Sequence, residues 1–156
     1  SRYDAEFGEE IGFKLCHNYR MDQVQLKLLK NPKSNQQGTY YYDDYVVIFA
    51  SLKKDLPVED RLNYKDQFLD IRTFQWESMT NLAKTQLDKL NRSHYVHLFI
   101  RKVADENGIT LPFTYVGQGH LRNCRKVENE NGTYLFDIAL ENELPDYLQY
   151  DFGLMI

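Results

Sequence analysis

The sequence predicts an α+β fold, a curved antiparallel β-barrel or sheet with flanking helices. Three observations point there. The 156 residues include 12 Tyr, 9 Phe and 1 Trp, an aromatic excess that favours strands and recognition surfaces. At least five runs show the alternation or short apolar block of a strand, against two with helical spacing. Asn- and Gly-containing turns join several of the strand runs, so hairpins should dominate the connections.

Residues 1–12 are polar and acidic, with Asp4, Glu6, Glu9 and Glu10, and read as a lead-in to one domain over residues 13–156. Val24, Leu26, Leu28 and Leu29 fit a short helix from Met21 to Lys30, opened near Asp22 and stopped by Asn31-Pro32. Tyr40 to Leu52 is a strand whose centre, Val46 to Phe49, is a continuous apolar run suited to cover on both faces. Tyr40, Tyr41, Tyr42 and Tyr45 surround Asp43 and Asp44 at its start. Ile71 to Ser78 alternates as a further strand, and Leu82, Ala83, Leu87 and Leu90 share one face of a helix from Thr80 to Arg92. Tyr95 to Val103 is a strand with Val96, Leu98 and Ile100 opposed to His97, Phe99 and Arg101. After the turn at Glu106-Asn107-Gly108, Leu111 to Leu121 is its partner, where Gly117 and Gly119 allow a bulge or close approach of another backbone. Arg122 to Glu128 continues it, Asn129 to Gly132 turns, and Thr133 to Leu140 is the last strand.

A net charge of −4 argues against unspecific coating of nucleic acid but permits a local basic stripe. No apolar run reaches membrane-spanning length. Cys16 and Cys124 give neither a disulfide framework nor a metal spacing, and read as buried free thiols of a reducing compartment, the cytoplasm. The chain opens on Ser1, which fits a fragment of something longer. His17, His94, His97 and His120 are scattered without ligand spacing. Gly117-Gln118-Gly119 lacks the third glycine and following helix of a phosphate loop, and no serine sits in a nucleophile elbow. Asp43, Asp44, Asp66 and Asp70 match no metal-ligand pattern. Catalysis, a metal and a cofactor are therefore not expected of this domain.

The stretch from Tyr64 to Thr80 concentrates the recognition chemistry. Trp76 stands beside Glu77 and Ser78, and a ring next to a carboxylate and a hydroxyl can hold a flat heterocycle by its face and edge. Taken alone, the stretch favours the plainer reading, with Phe74 and Trp76 as core. Basic residues add to the recognition reading. Arg122, Arg125 and Lys126 cluster with Asn123, and Lys53-Lys54 leave the tyrosine-rich strand. Converging on one side, such patches would meet a nucleic-acid backbone. Singly, each is ordinary solubilising charge.

The run Asn18-Tyr19-Arg20-Met21-Asp22-Gln23-Val24 precedes Leu28-Leu29, a Gly38 loop and a strand ending Ile48-Phe49-Ala50-Ser51-Leu52-Lys53-Lys54. Tyr64-Lys65-Asp66, Phe74-Gln75-Trp76-Glu77-Ser78, Leu98-Phe99-Ile100-Arg101 and Pro112-Phe113-Thr114-Tyr115-Val116-Gly117 follow in order. From about Gly12 onward this series resembles the C-terminal domain of proteins carrying a phospholipase-D-type nuclease and a superfamily 2 helicase. The SauUSI-type modification-dependent (type IV) restriction endonucleases are of this kind. The resemblance implies an SRA/PUA-like fold that grips duplex DNA and captures a flipped 5-methylcytosine or 5-hydroxymethylcytosine. The implied partners are modified duplex DNA and the nuclease and helicase domains of the same parent chain, an ATP-dependent restriction endonuclease. Glu77 departs from the Gln or Ser found near that position in the family.

On this reading Trp76 and one of Tyr41, Tyr42 or Tyr45 are the stacking walls. Glu77 or Asp43 accepts from the cytosine amino group, and Ser78 is a secondary polar contact. Arg122, Asn123, Arg125 and Lys126, with Lys53 and Lys54, meet the backbone and groove. The competing expectations are a B3-like reader of unmodified duplex, a protein-interaction module, and a metal-dependent nuclease.

Overall fold

The computed structural model describes residues 12–29, 38–42, 45–52, 65–78, 84–92, 95–128 and 132–154. The strands are β1 (Asn18–Tyr19), β2 (Thr39–Tyr41), β3 (Tyr45–Ser51), β4 (Gln67–Asp70), β5 (Thr73–Glu77), β6 (Tyr95–Arg101), β7 (Asp105–Glu106), β8 (Ile109–Thr110), β9 (Phe113–Lys126) and β10 (Tyr134–Leu140). The helices are α1 (Met21–Leu29), α2 (Lys84–Arg92) and α3 (Asp146–Asp151). One mixed sheet runs β2-β3-β6-β9-β10-β5-β4, with β1 added to β9, and β7-β8 is a separate small hairpin.

Alternation of side chains along β3, β6 and β9 builds two cores on opposite faces of the sheet. On one face Val46, Ile48, Val96, Leu98, Ile100, Val116, Phe74, Trp76, Phe136 and Ile138 pack beneath Leu90 of α2 and Leu148 of α3. On the other, Val47, Phe49, Phe99, Phe113 and Tyr115 pack with Phe13 beneath Val24 of α1. Val46 to Ala50 are all buried, so the doubly covered strand expected there is present.

Two glycines of β9 do what the sequence suggested. Gly117 has a φ of 101° and lies where the β6–β9 register shifts between Leu98 and Phe99. A Cβ on Gly119 would sit 2.6 Å from the Ala139 carbonyl oxygen, so only glycine lets β10 approach there.

Several elements differ from expectation. The sheet is mixed and open, because β3 and β6 pair in parallel from Tyr45↔Tyr95 to Ser51↔Arg101. The strand expected from Tyr40 to Leu52 is divided into β2 and β3, and the focal stretch folds as the β4–β5 hairpin. The tail forms α3, and β1 adds a short antiparallel pair to β9. Cys124 is exposed and Cys16 half-buried, rather than both buried. Among the described residues no helix is long and apolar enough to cross a membrane.

Candidate nucleic-acid interface

The register of the sheet decides which predicted residues share a face. Paired positions point the same way, so the row Tyr45↔Tyr95 in β3 and β6 lies opposite in face to the row Val46↔Val96. In β9 and β10, His120↔Ala139 and Arg122↔Asp137 share that tyrosine face, as do Gln75 and Thr73 of β5, paired with Asp137 and Ala139. Two strand spacings and two residues separate Tyr45 from Arg122, on the order of 12 Å at the backbone. Tyr42, Tyr45, Arg122 and Arg125 are thus brought to one face, away from α2 and α3.

At the β3 end, Tyr42 donates its backbone N–H to the Tyr45 carbonyl at 3.0 Å. Their rings stack with centroids 4.7 Å apart and planes inclined by 21°. Tyr45 meets the His97 ring edge-on at 5.5 Å, and His97 Nδ1 lies 2.6 Å from the Tyr115 hydroxyl. Burial holds the His97 imidazole neutral, its pKa lowered to about 3. Val24, Gln25, Leu28, Tyr40, Tyr42 and Phe49 line a tight seam beside the tyrosine pair, too narrow to admit a water molecule. The Tyr42 hydroxyl is buried there without a hydrogen-bond partner among the described residues. Its pKa is raised to about 12 by burial first, then by the neighbouring Tyr45 and Tyr40. Tyr41 points to the other face against the α2/α3 core, and burial raises its pKa likewise to about 12.

Further along the same face, Gln118 Nε2 donates to Glu141 Oε1 at 2.9 Å. His120 Nε2 approaches the same oxygen at 3.6 Å. The His120 ring also lies against Tyr95, centroids 5.4 Å apart. These side chains, with Gln75 and Asp137, were not singled out from the sequence as site residues. The opposed parities of β6 were visible there, but the strand order that sets Gln118 and His120 of β9 beside Glu141 was not. Among the described residues no group of three or more His, Cys, Asp or Glu is arranged to hold a metal.

The structure separates Trp76, Glu77 and Ser78 from this face or occupies them within the fold. Trp76 is 4% exposed and packs on Phe136 in the α2/α3 core, centroids 5.9 Å apart, so neither ring face is open to a base. Parity explains it: Phe74, Trp76 and Ser78 take the side of β5 that the helices cover. Glu77 is on the tyrosine side at the far end, where Thr133 Oγ1 donates to its carboxylate at 2.8 Å. Ser78 is buried, and its hydroxyl accepts the Tyr134 N–H at 3.0 Å. Lys126 is exposed and pairs with Tyr134 on the α2/α3 side. Asp43, Lys53 and Lys54 lie outside the described residues.

Among curated proteins none matches the chain in sequence. Among solved structures the chain is similar to the SRA domain of SUVH5 in complex with fully methylated CG DNA. The TM-score is 0.57 at 14% identity, covering 86% of this chain and 95% of that one. The SUVH5 SRA domain bound to fully hydroxymethylated CG DNA gives the same values. Its complex with hemi-methylated CG DNA gives 0.56 and 15%, over 86% and 94%. The fold is therefore SRA-like, a mixed sheet with a few helices. The family model described as "Domain of unknown function (DUF3427)" matches residues 13–152, and the chain belongs to that family.

Proposed function

We propose that this domain reads 5-methylcytosine, or its hydroxymethyl form, in duplex DNA by taking the base out of the stack. The observation that supports this reading is the SRA-like fold over 86% of the chain. The neighbouring SUVH5 structures were determined with methylated and hydroxymethylated CG DNA. Tyr45 and Tyr42, whose rings stack on one another, offer the stacking surface. Asp43, between the two tyrosines in sequence, accepts from the exocyclic amino group. Arg122, Lys53 and Lys54 meet the backbone.

The physical demands of such reading are modest and separable. Methylated and unmodified cytosine share a Watson–Crick edge, so that edge identifies the base and an apolar wall identifies the methyl. One buried methyl-sized group is worth about 0.8 kcal/mol. Extrusion costs a few kcal/mol, offset by stacking at about 1–3 kcal/mol per base. Discrimination therefore comes from shape and exclusion. The domain acts as a reader without chemistry of its own, directing the nuclease and helicase of a cytoplasmic type IV restriction endonuclease of which it is one part.

The test is the affinity of the chain for one duplex with a single 5-methylcytosine, a 5-hydroxymethylcytosine or plain cytosine at that position, at fixed salt. Tighter binding of a modified duplex is expected. Equal affinities for all three would leave a reader of unmodified DNA, and no binding at any salt would leave a protein-interaction module.

A further inference from the structure

The geometry points to Arg125 as a positioning residue that locks a bulge in β9, leaving Arg122 as the cation of that seam that meets the DNA backbone. The inference rests on the reading above and assigns separate roles to two arginines that the sequence presents as equivalent. Leu135 pairs with Arg125 and Asp137 with Arg122, so Asn123 and Cys124 of β9 stand against Phe136 alone. Such a bulge bends a strand and re-aims the side chains beside it. Asn123 sits at its apex with a φ of 54°.

The Arg125 guanidinium ties this bulge together. Its Nη1 donates to the Asn123 carbonyl at 2.7 Å. Its Nη2 donates to Gln75 Oε1 at 3.0 Å and to Asp137 Oδ1 at 3.2 Å. Asn123 Nδ2 donates to the other Asp137 oxygen, Oδ2, at 3.0 Å. Both carboxylate oxygens of Asp137 and both terminal nitrogens of Arg125 are thereby engaged across β9, β10 and β5. Gln75 is anchored in turn, its Nε2 donating to the Lys65 carbonyl at 2.8 Å.

Arg122 stands directly opposite Asp137 in the ladder, yet the carboxylate it faces is already spent on Asn123 and Arg125. Arg122 is exposed, and among the described residues it makes no ion pair. A phosphate can take its charge without breaking anything. To reach a phosphate, Arg125 would have to abandon a carboxylate, an amide and a carbonyl, and leave Asp137 uncompensated.

Binding of the full chain to a duplex with one 5-methylcytosine, measured across a salt series, separates the two roles. Arg122→Ala should lower the slope of log affinity against log salt by about 0.9, the loss of one phosphate contact. Arg125→Ala should weaken binding with the slope unchanged, and Arg125→Lys should fail to rescue it, because the ammonium lacks the guanidinium fork. Gln75→Ala removes no charge and should also weaken binding at constant slope, which covers the case in which the Arg125 variants do not fold. The assignment is overturned if Arg125→Ala takes about 0.9 from the slope and Lys restores it. Wild-type slope in Arg122→Ala, or wild-type affinity in Gln75→Ala, would overturn it equally. Wild-type protein that binds no duplex would instead reject the functional reading itself.

Discussion

Side chains of similar type divide here by which face of a strand they take. Trp76, with 4% exposure against Phe136, contributes to packing. Trp76→Ala should cost about 3–5 kcal/mol of stability, measured as a drop in the urea midpoint, and should weaken every duplex alike through loss of folded protein. A variant that stays as stable as wild type yet loses only modified DNA would show the indole to be a binding surface after all. The alternation in β5 was legible in the sequence, including which residues share the aromatic parity. Which parity the helices cover was not, because that depends on β10 lying between β5 and β9. The tyrosines were legible as a group, while their division between faces follows from the pairing of Tyr40 with Val47 and Tyr41 with Val46.

At the scale of elements, β6 and β9 form the middle of the sheet and hold two fully buried polar side chains, His97 and Gln118. His97 is fully buried beside Tyr115, and its pKa is lowered from 6.5 to about 3 by burial. A depressed pKa means that the unfolded chain takes up this proton before the folded one. The stability it contributes is full above about pH 6.5 and is lost as pH falls toward about 3. Urea unfolding of the wild type should therefore weaken through that window more steeply than that of His97→Gln. Parallel curves would show that His97 is protonated in the folded protein.

The same strands show what local sequence encodes. The turn at Asn107-Gly108, with φ of 54° and 77°, and the special positions Gly117 and Gly119 follow from residue type alone. The parallel pairing of β3 with β6 does not. An apolar run such as Val46 to Phe49 fits a doubly covered strand of either direction, and the intervening hairpin and helix conceal the crossover. The helix α3 was missed for a related reason. Its six residues, Asp146–Asp151, are too few for a periodic signal and are held by Leu148 against the core.

The whole molecule has helices α2 and α3 on one side of the sheet and, on the other, a face only partly covered by α1. Among the described residues, that asymmetry leaves tyrosine rings, a polar floor and an arginine without an ion pair on a single surface of a chain whose net charge is −4. One exposed arginine on an acidic domain favours contact at a defined site over coating of any duplex. The likeness to SRA domains extends over 86% of the chain at 14% identity, so the architecture is shared while the side chains that would touch a base are this chain's own. The ordered motifs of the sequence led to the right fold. They grouped Trp76 with Tyr42 and Tyr45, which the structure puts on opposite faces of the sheet.

On the proposed function, the Tyr42–Tyr45 end of this surface receives a modified cytosine. That claim is tested most directly by the ratio of affinities for duplexes with and without a single 5-methylcytosine, in wild type and in Tyr45→Ala, with folding checked by urea unfolding. Wild type should prefer the methylated duplex, and folded Tyr45→Ala should bind both equally and more weakly, the stacking being worth about 1–3 kcal/mol. A folded Tyr45→Ala protein that keeps the wild-type ratio would contradict it.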